Sequence, residues 1–402
     1  MSAEAPSLRL PGFYRATEVS VHDTPLSPIV ELTRWTAEEE RRLGRRPTVL
    51  FSEVVGHPGA AVLVNPCPKP VLLEAMGLDG AHWAEQLERR LRAPGPGVLT
   101  RQRDWKTLSG LDALPVPQHR PGDAGRYITA GVGITRSPEG EVNLGVYRVQ
   151  IVDSHRARIF FDPRTDAHRN WSRHLEAGES MDVTVFIGAS PVHLLAGASR
   201  LTSGGSDFEV AARLAGEQLV LDDRFGVPVD AQYVLTGKVG GTLETEGPFA
   251  EFKGYYVPAR ESPVLEVTEV ASAESPYYPT IVTGAESGLT LMSLQNEYLM
   301  YAHLVERGFP VESVVYPHAA RAEFLAVVVS PEPSEELLRA AMDFDVRSKM
   351  VVCAPESEDF WQMVAVYGFS VEKHTYYRKG VEYGDRVGFV FDRKPDGWPV
   401  EF

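Results

Sequence analysis

Hydrophobic and polar residues change their spacing several times along this chain, and the changes divide it. Over residues 48–55 and 60–65 apolar side chains run almost unbroken, as in strands covered on both faces. On either side the spacing turns helical. Residues 28–48 predict a helix with Thr36 as N-cap and Glu38, Glu39 and Glu40 in its first turn. Residues 69–92 predict another, interrupted at Gly77-Leu78-Asp79-Gly80. This opening is βαβ-like. Residues 1–27 are proline-rich and without pattern, an extended arm, and 105–118 are a connector rich in Leu and Pro.

From Arg126 the period shortens to two. Residues 128–135, 144–153, 157–162, 182–187, 229–238 and 252–257 predict strands, with one helix inserted at 191–198. Strands at such short spacing imply a barrel. Gly204-Gly205 and Gly240-Gly241 read as turns, since neither opens a helix behind a strand as a phosphate loop would. Residues 289–307 form the longest helical stretch, rich in Leu, Met and Tyr. The remainder alternates strands (324–329, 350–353) with helices (334–342, 358–366).

Composition narrows the classes. The chain has 402 residues, 43% hydrophobic and 24% charged, ordinary for a globular protein. A net charge of −15 argues against nucleic acid or an anionic membrane as the main partner. No apolar run reaches the ~20 residues a spanning helix needs, and the N-terminus carries no basic-then-apolar leader. Cys67 and Cys353 form no metal-ligand spacing and read as free thiols in a reducing cytoplasm.

Two stretches carry candidate chemistry. In Glu246-Gly247-Pro248-Phe249-Ala250-Glu251 a Gly-Pro turn can bring two acids to one side. Taken alone, the pair also suits a solvated hairpin tip. Asn143-Leu144-Gly145-Val146-Tyr147-Arg148 ends in an arginine inside an apolar run, and an arginine in a strand core needs carboxylate partners.

Together these stretches resemble the UbiD family of decarboxylases, which use prenylated FMN. The family pattern N-x-G-x-Y-R, then E-G-P-F-x-E, is matched at Asn143, Gly145, Tyr147, Arg148, Glu246 and Glu251. Pro121 to Gly125 with Tyr127-Ile128-Thr129, then Thr135-Arg136, then Phe186 to Pro191 add collinear matches. The resemblance implies an α+β fold in parts: an arm (1–27), an N-terminal α/β domain (28–120), a split β-barrel holding the flavin (121–283), a linking helix (284–310) and a C-terminal α/β domain (311–402). It also implies a reversible, non-oxidative decarboxylase of a small unsaturated or aromatic acid, supplied with cofactor by a flavin prenyltransferase. The protein is expected to be a homodimer through the helix and C-terminal domain.

By the same resemblance Arg148 orients the substrate carboxylate, Glu251 donates the proton that replaces CO₂, and Glu246 holds Arg148. Asn143, Gly145, Val146, Tyr147, Arg164, Ser199 and Arg200 fall against the flavin. The family bridges the flavin phosphate through manganese, with potassium, to an Asn, a His and a Glu. Here Asn143 matches, the glutamate position holds Asp207, and the histidine position holds Arg164, the nearest histidine being His168. An arginine repels a divalent ion and attracts a phosphate. Arg164 and Arg200 are therefore expected to meet the phosphate directly, with Asp207 paired to one of them. The competing arrangement is a metal held by Asn143, His168 and Asp207. Two rival functions remain: a flavin oxidoreductase on the same barrel, and a non-catalytic flavin-binding paralogue.

Overall fold

The computed structural model describes residues 10–390 except 81, 202–205, 253, 346, 356–369 and 379–380, with side chains of 370–378 and 381–385 also left aside. The predicted helix at 358–366 and the Gly204-Gly205 turn lie outside the described residues. The chain divides into two compact units. One holds residues 1–80 and 89–291, the other 81–88 and 292–402.

The first unit is built on a nine-stranded sheet in which every pairing is antiparallel. The strand Val142–Val146 lies at one end of this sheet, and Val149–Ile151 is second from the other end. Only Tyr147 and Arg148 join them. The three Cα steps from Val146 to Val149 reach no more than about 11 Å, so the sheet curls until its ends nearly meet. Arg148 was expected inside a continuous strand. It sits instead in this two-residue break, where its side chain escapes the alternation of a ladder.

Two long strands form the back of the curl, Tyr233–Glu246 and Arg260–Ser272. The first runs well past its predicted end, and the second was not foreseen, because Arg260, Glu261, Pro263 and Glu266 hide its alternation. Gly240-Gly241 proves to lie inside the longer strand. The ladder shifts register between Val239 and Leu243, so these glycines mark a bulge and not a turn.

A four-stranded sheet of Val19–His22, Thr48–Phe51, Ala61–Val64 and Tyr277–Thr280 packs against the curl. Alternation decides which residue goes where. Val49, Phe51, Val62 and Val64 face the core shared with the large sheet, whereas Leu50, Ala61 and Leu63 face Val71 and Tyr14. The arm thus contributes an edge strand, and the segment assigned to the barrel gives back Tyr277–Thr280. The helix Glu31–Leu43 falls within the predicted 28–48 but begins before Thr36, the expected N-cap. Thr36 is inside it, its hydroxyl turned back to Leu32 O at 2.8 Å, and so caps nothing.

The second unit carries a five-stranded sheet in which Leu325–Val329, Met350–Ala354 and Val381–Val390 are parallel. The helix Glu335–Phe344, capped by Ser334, makes the crossover between the first two. The long helix Glu286–Glu306 straddles the division of the chain. No helix among the described residues is long and apolar enough to cross a membrane.

Candidate active site

The long strand Tyr233–Glu246 ends by driving Glu246 into the interior, where it is 0% exposed. A buried carboxylate needs donors, and it has two. Arg148 Nη2 donates to Oε2 at 2.6 Å, and the Tyr127 hydroxyl donates to Oε1 at 2.9 Å. Burial first, and then the Glu246 charge, push the Tyr127 phenol well above its ordinary range, so it stays a donor. The Arg148 guanidinium lies 4.7 Å from the Phe160 ring centroid and 5.8 Å from that of Phe249, which stacks on Tyr127 at 4.1 Å. Its Nε is buried with no acceptor. The pair is therefore held in an aromatic box, with the buried Nε donor unused among the described residues.

Beyond Glu246 the chain turns through a cis Gly247-Pro248 bond into Phe249–Ala250, which pairs with Tyr256–Val257. This short ladder replaces the strand expected over 252–257. The turn is clamped from the neighbouring segment. Ala124 N donates to Pro248 O at 2.9 Å, and Asp123 Oδ1 accepts from Ala250 N at 3.2 Å while Oδ2 accepts from Arg120 N. Burial raises the Asp123 carboxyl, and the two backbone donors oppose the rise. Glu251 N donates to Tyr255 O at 2.8 Å, closing the loop on itself. Tyr127 and Asp123 lay in a stretch matched to the family but were given no role in the site. A buried tyrosine one strand from the arginine, and an acid in a Pro-Gly-Asp turn, were the available signals.

A second polar group surrounds the strand Val142–Val146. Asn143 Nδ2 donates to Thr135 Oγ1 at 3.1 Å and to the Tyr147 hydroxyl at 3.0 Å, leaving its Oδ1 without a partner among the described residues. Gly133 and Gly145 face each other across the ladder, and Tyr147 lies over both. A Cβ at Gly145 would stand 2.1 Å from the Tyr147 hydroxyl. Gly197 brings the helix Val192–Ala198 down to the Gly145 backbone, where an added Cβ would be 3.4 Å away. Val146 pairs with Val132 in the same ladder.

Asp207 opens the helix Asp207–Ala215 and accepts from Leu144 N at 2.7 Å. Its carboxyl is raised by burial, an effect the Leu144 donor opposes. The expected pairing of Asp207 with an arginine is thus replaced by a backbone bond beside Asn143. Arg164 is exposed and holds Asp162 through two bonds, at 2.8 and 2.7 Å. Ser199 ends the Val192–Ala198 helix with its hydroxyl on Ala196 O, and Arg200 beyond it is exposed. His168 lies on the helix Asp166–Glu176, against Trp171 and within 3.4 Å of Ser172 Oγ. The structure brings Arg148, Glu246 and Tyr127 together, and separately Asn143, Tyr147 and Asp207. It does not bring Arg164 to either cluster. Among the described residues no three His, Cys, Asp or Glu side chains are placed to share an ion. The donor set thus fits a flavin, with glycines for close approach and an idle arginine donor, better than a metal. Cys67 is buried, hydrogen-bonded through its N–H to Ser287 Oγ, and pushed by burial up to about 12, an inert thiol.

The curled antiparallel sheet places the Arg148–Glu246 pair at the break between two of its strands. Residues 97–286 match the family model of the UbiD 3-octaprenyl-4-hydroxybenzoate carboxy-lyase Rift-related domain. The chain therefore carries a UbiD-related domain over these residues. Its relatives include an anhydromevalonate phosphate decarboxylase of Archaeoglobus fulgidus, 30% identical over 56% of this chain and 52% of that one. Another is a phenolic acid decarboxylase of Bacillus subtilis, 26% identical over 60% of this chain and 55% of that one. The chain spans about half the length of these curated relatives. The fold matches the UbiD-class enzyme HmfF of Pelotomaculum thermopropionicum, solved with prFMN, at TM-score 0.81 and 24% identity over 94% of each chain. The 3,4-dihydroxybenzoic acid decarboxylase of Klebsiella pneumoniae matches at TM-score 0.81 and 17% identity over 94% of each chain.

Proposed function

We propose that this protein is a prenylated-FMN-dependent decarboxylase of a small unsaturated or aromatic carboxylic acid. The observation that carries the reading is Arg148, locked by a buried glutamate and left with an idle Nε donor five residues after Asn143. This arginine keeps a donor that no described residue accepts from, available to a bound group. The decarboxylases among its relatives support the same reaction class.

Losing CO₂ from an sp² carbon leaves electrons that no side chain can accept, and the bound flavin supplies that sink. The chain's own residues do the rest. Arg148 offers its planar fork to the substrate carboxylate. Glu246 and Tyr127 fix its orientation, which keeps the leaving carboxylate aligned. Phe160 and Phe249 keep water from the charges and so strengthen their interaction. Glu251, on the clamped turn, returns a proton to the carbon that lost CO₂. Asn143, Gly145, Val146, Tyr147, Ser199 and Arg200 would hold the flavin. Arg164 would reach its phosphate only by leaving Asp162.

The test is expression with and without a flavin prenyltransferase, followed by an assay on cinnamate-like and heteroaromatic acids. Activity only after co-expression supports the proposal, and equal activity with plain FMN defeats it. Metal analysis of the same holoprotein decides the phosphate site. One tightly held manganese per chain, with activity lost on chelation, would favour the Asn143, His168 and Asp207 arrangement over direct arginine contact. Light scattering at micromolar concentration tests the homodimer. Leu289, Leu291, Leu294, Met300 and Leu304 of the long helix are already buried within the chain, which leaves fewer of its apolar side chains for a partner.

A further inference from the structure

Arg260 begins the strand Arg260–Ser272 and pairs in register with Glu246 across the antiparallel ladder. Directly opposed residues project on the same side of a sheet, so Arg260 emerges beside the carboxylate that holds Arg148. Its guanidinium carbon is 4.6 Å from the Phe160 centroid, and that of Arg148 is 4.7 Å from the same centroid. One aromatic ring therefore carries two cations. Arg148 has its carboxylate. The Arg260 side chain has no hydrogen bond or ion pair among the described residues, and its Nε is buried without an acceptor there. The nearest acids on the two strands are engaged elsewhere. Glu244 is taken by Arg156 and Arg158, and Glu261 accepts from Thr245.

A partly buried guanidinium with no anion is an unfinished arrangement, because its desolvation is not repaid. Phe160 offers only its ring face. Among the described residues no anion answers it, which leaves the guanidinium available to a bound one. We propose that Arg260 anchors a second anionic group on the substrate, so that the substrate class is a small acid with two anionic groups. Arg148 meets the carboxylate that is lost, and Arg260 meets a retained carboxylate or phosphate-type group. The planar fork suits either. The identity of the departing group rests on the decarboxylase reading. The second anchor does not.

The experiment measures equilibrium binding of benzoate, terephthalate and 4-phosphonobenzoate to flavin-loaded protein, for the natural chain, Arg260→Gln and Arg260→Lys. The natural protein is expected to bind at least one dianion roughly tenfold or more tighter than benzoate, as a charge-assisted contact would give. Arg260→Gln should erase that preference while leaving benzoate affinity within about twofold. Terephthalate against 4-phosphonobenzoate distinguishes a carboxylate from a phosphate-type group. Benzoate binding as tightly as both dianions would overturn the proposal. So would an equal loss for all three ligands in Arg260→Gln, which would make Arg260 a second clamp on the same carboxylate. If Arg260→Gln does not fold, Arg260→Lys decides, since it keeps the charge and loses the fork. It should weaken the preferred dianion severalfold and spare benzoate, and unchanged dianion binding would count against the anchor. Intact dianion preference without turnover on any acid would refute the decarboxylase reading and leave the anchor standing.

Discussion

Glu246 is wholly buried, and Arg148 Nη2 reaches its Oε2 at 2.6 Å across 98 residues of sequence. The partner that pays for burying the acid is also the group proposed to bind substrate, so stability and activity are tied at this bond. Arg148→Ala should abolish turnover and destabilise the fold by about 3–5 kcal/mol, the cost of leaving a buried carboxylate unpaired. Adding Glu246→Gln to that variant should restore part of the stability and none of the activity. Urea denaturation of the natural chain and the variants, with turnover measured in parallel, gives both answers. Equal stability of Arg148→Ala and the natural chain would mean that the carboxylate finds another partner.

Glu251 sits on a turn fixed by backbone bonds to Tyr255 and, one residue earlier, to Asp123. Glu251→Gln keeps the shape of the side chain and removes its proton. Flavin binding and melting temperature should be unchanged, while turnover falls roughly 10²–10⁴-fold, the usual worth of a general acid. A fully active variant would refute the role.

The ring of Tyr147 lies over the facing glycines Gly133 and Gly145, where a Cβ at either would meet it at under 3 Å. Gly145→Ala should therefore displace the ring, break the Asn143 to Tyr147 bond and cost about 1–3 kcal/mol, as overpacking does. Flavin affinity should drop with it. A thermal melt and a flavin titration check the two parts, and unchanged values for both would show that the ring has room to move.

How much of this was legible in the sequence follows from range. The apolar runs at 48–55 and 60–65 gave true strands, because burial on both faces leaves an unbroken signature. Arg260–Ser272 did not, because its exposed and solvent-edge positions carry charges that disrupt alternation. The motif residues Arg148 and Glu246 could be paired by their chemistry, since a strand arginine demands an acid. The break at Tyr147-Arg148, the Tyr127 hydroxyl on Glu246 and the Asp123 clamp depend on how distant segments meet, and no local period encodes that. Arg164 shows the reverse case. Alignment with the family set it at a phosphate, while its neighbour Asp162, two residues away, captures it in the folded chain.

His119 is 2% exposed, with its ring nitrogens facing only hydroxyls: Thr33 at 3.2 Å on one side, and Thr280 at 3.1 Å and Thr129 at 3.4 Å on the other. Burial, and next the nearby Arg120 charge, lower its pKa to about 3. In the unfolded chain the ring titrates near its ordinary ~6.5. Above that pH neither state is protonated, and the full stability is present. As pH falls through 6.5 the unfolded chain takes up a proton the folded chain refuses, and stability is lost at about 1.4 kcal/mol per pH unit until the folded ring titrates. Between pH 7 and pH 5 the loss from this one group is about 2 kcal/mol. Asp123 and Asp207 act in the opposite sense, because their raised carboxyls favour the folded state on acidification. The comparison must therefore be made within a pair of proteins. His119→Asn keeps a polar side chain and removes the titration. It should start less stable at pH 7, and its stability should fall less steeply toward pH 5 than that of the natural chain. Parallel slopes in urea denaturation at the two pH values would show that His119 becomes protonated in place, with its threonines turning to accept from it.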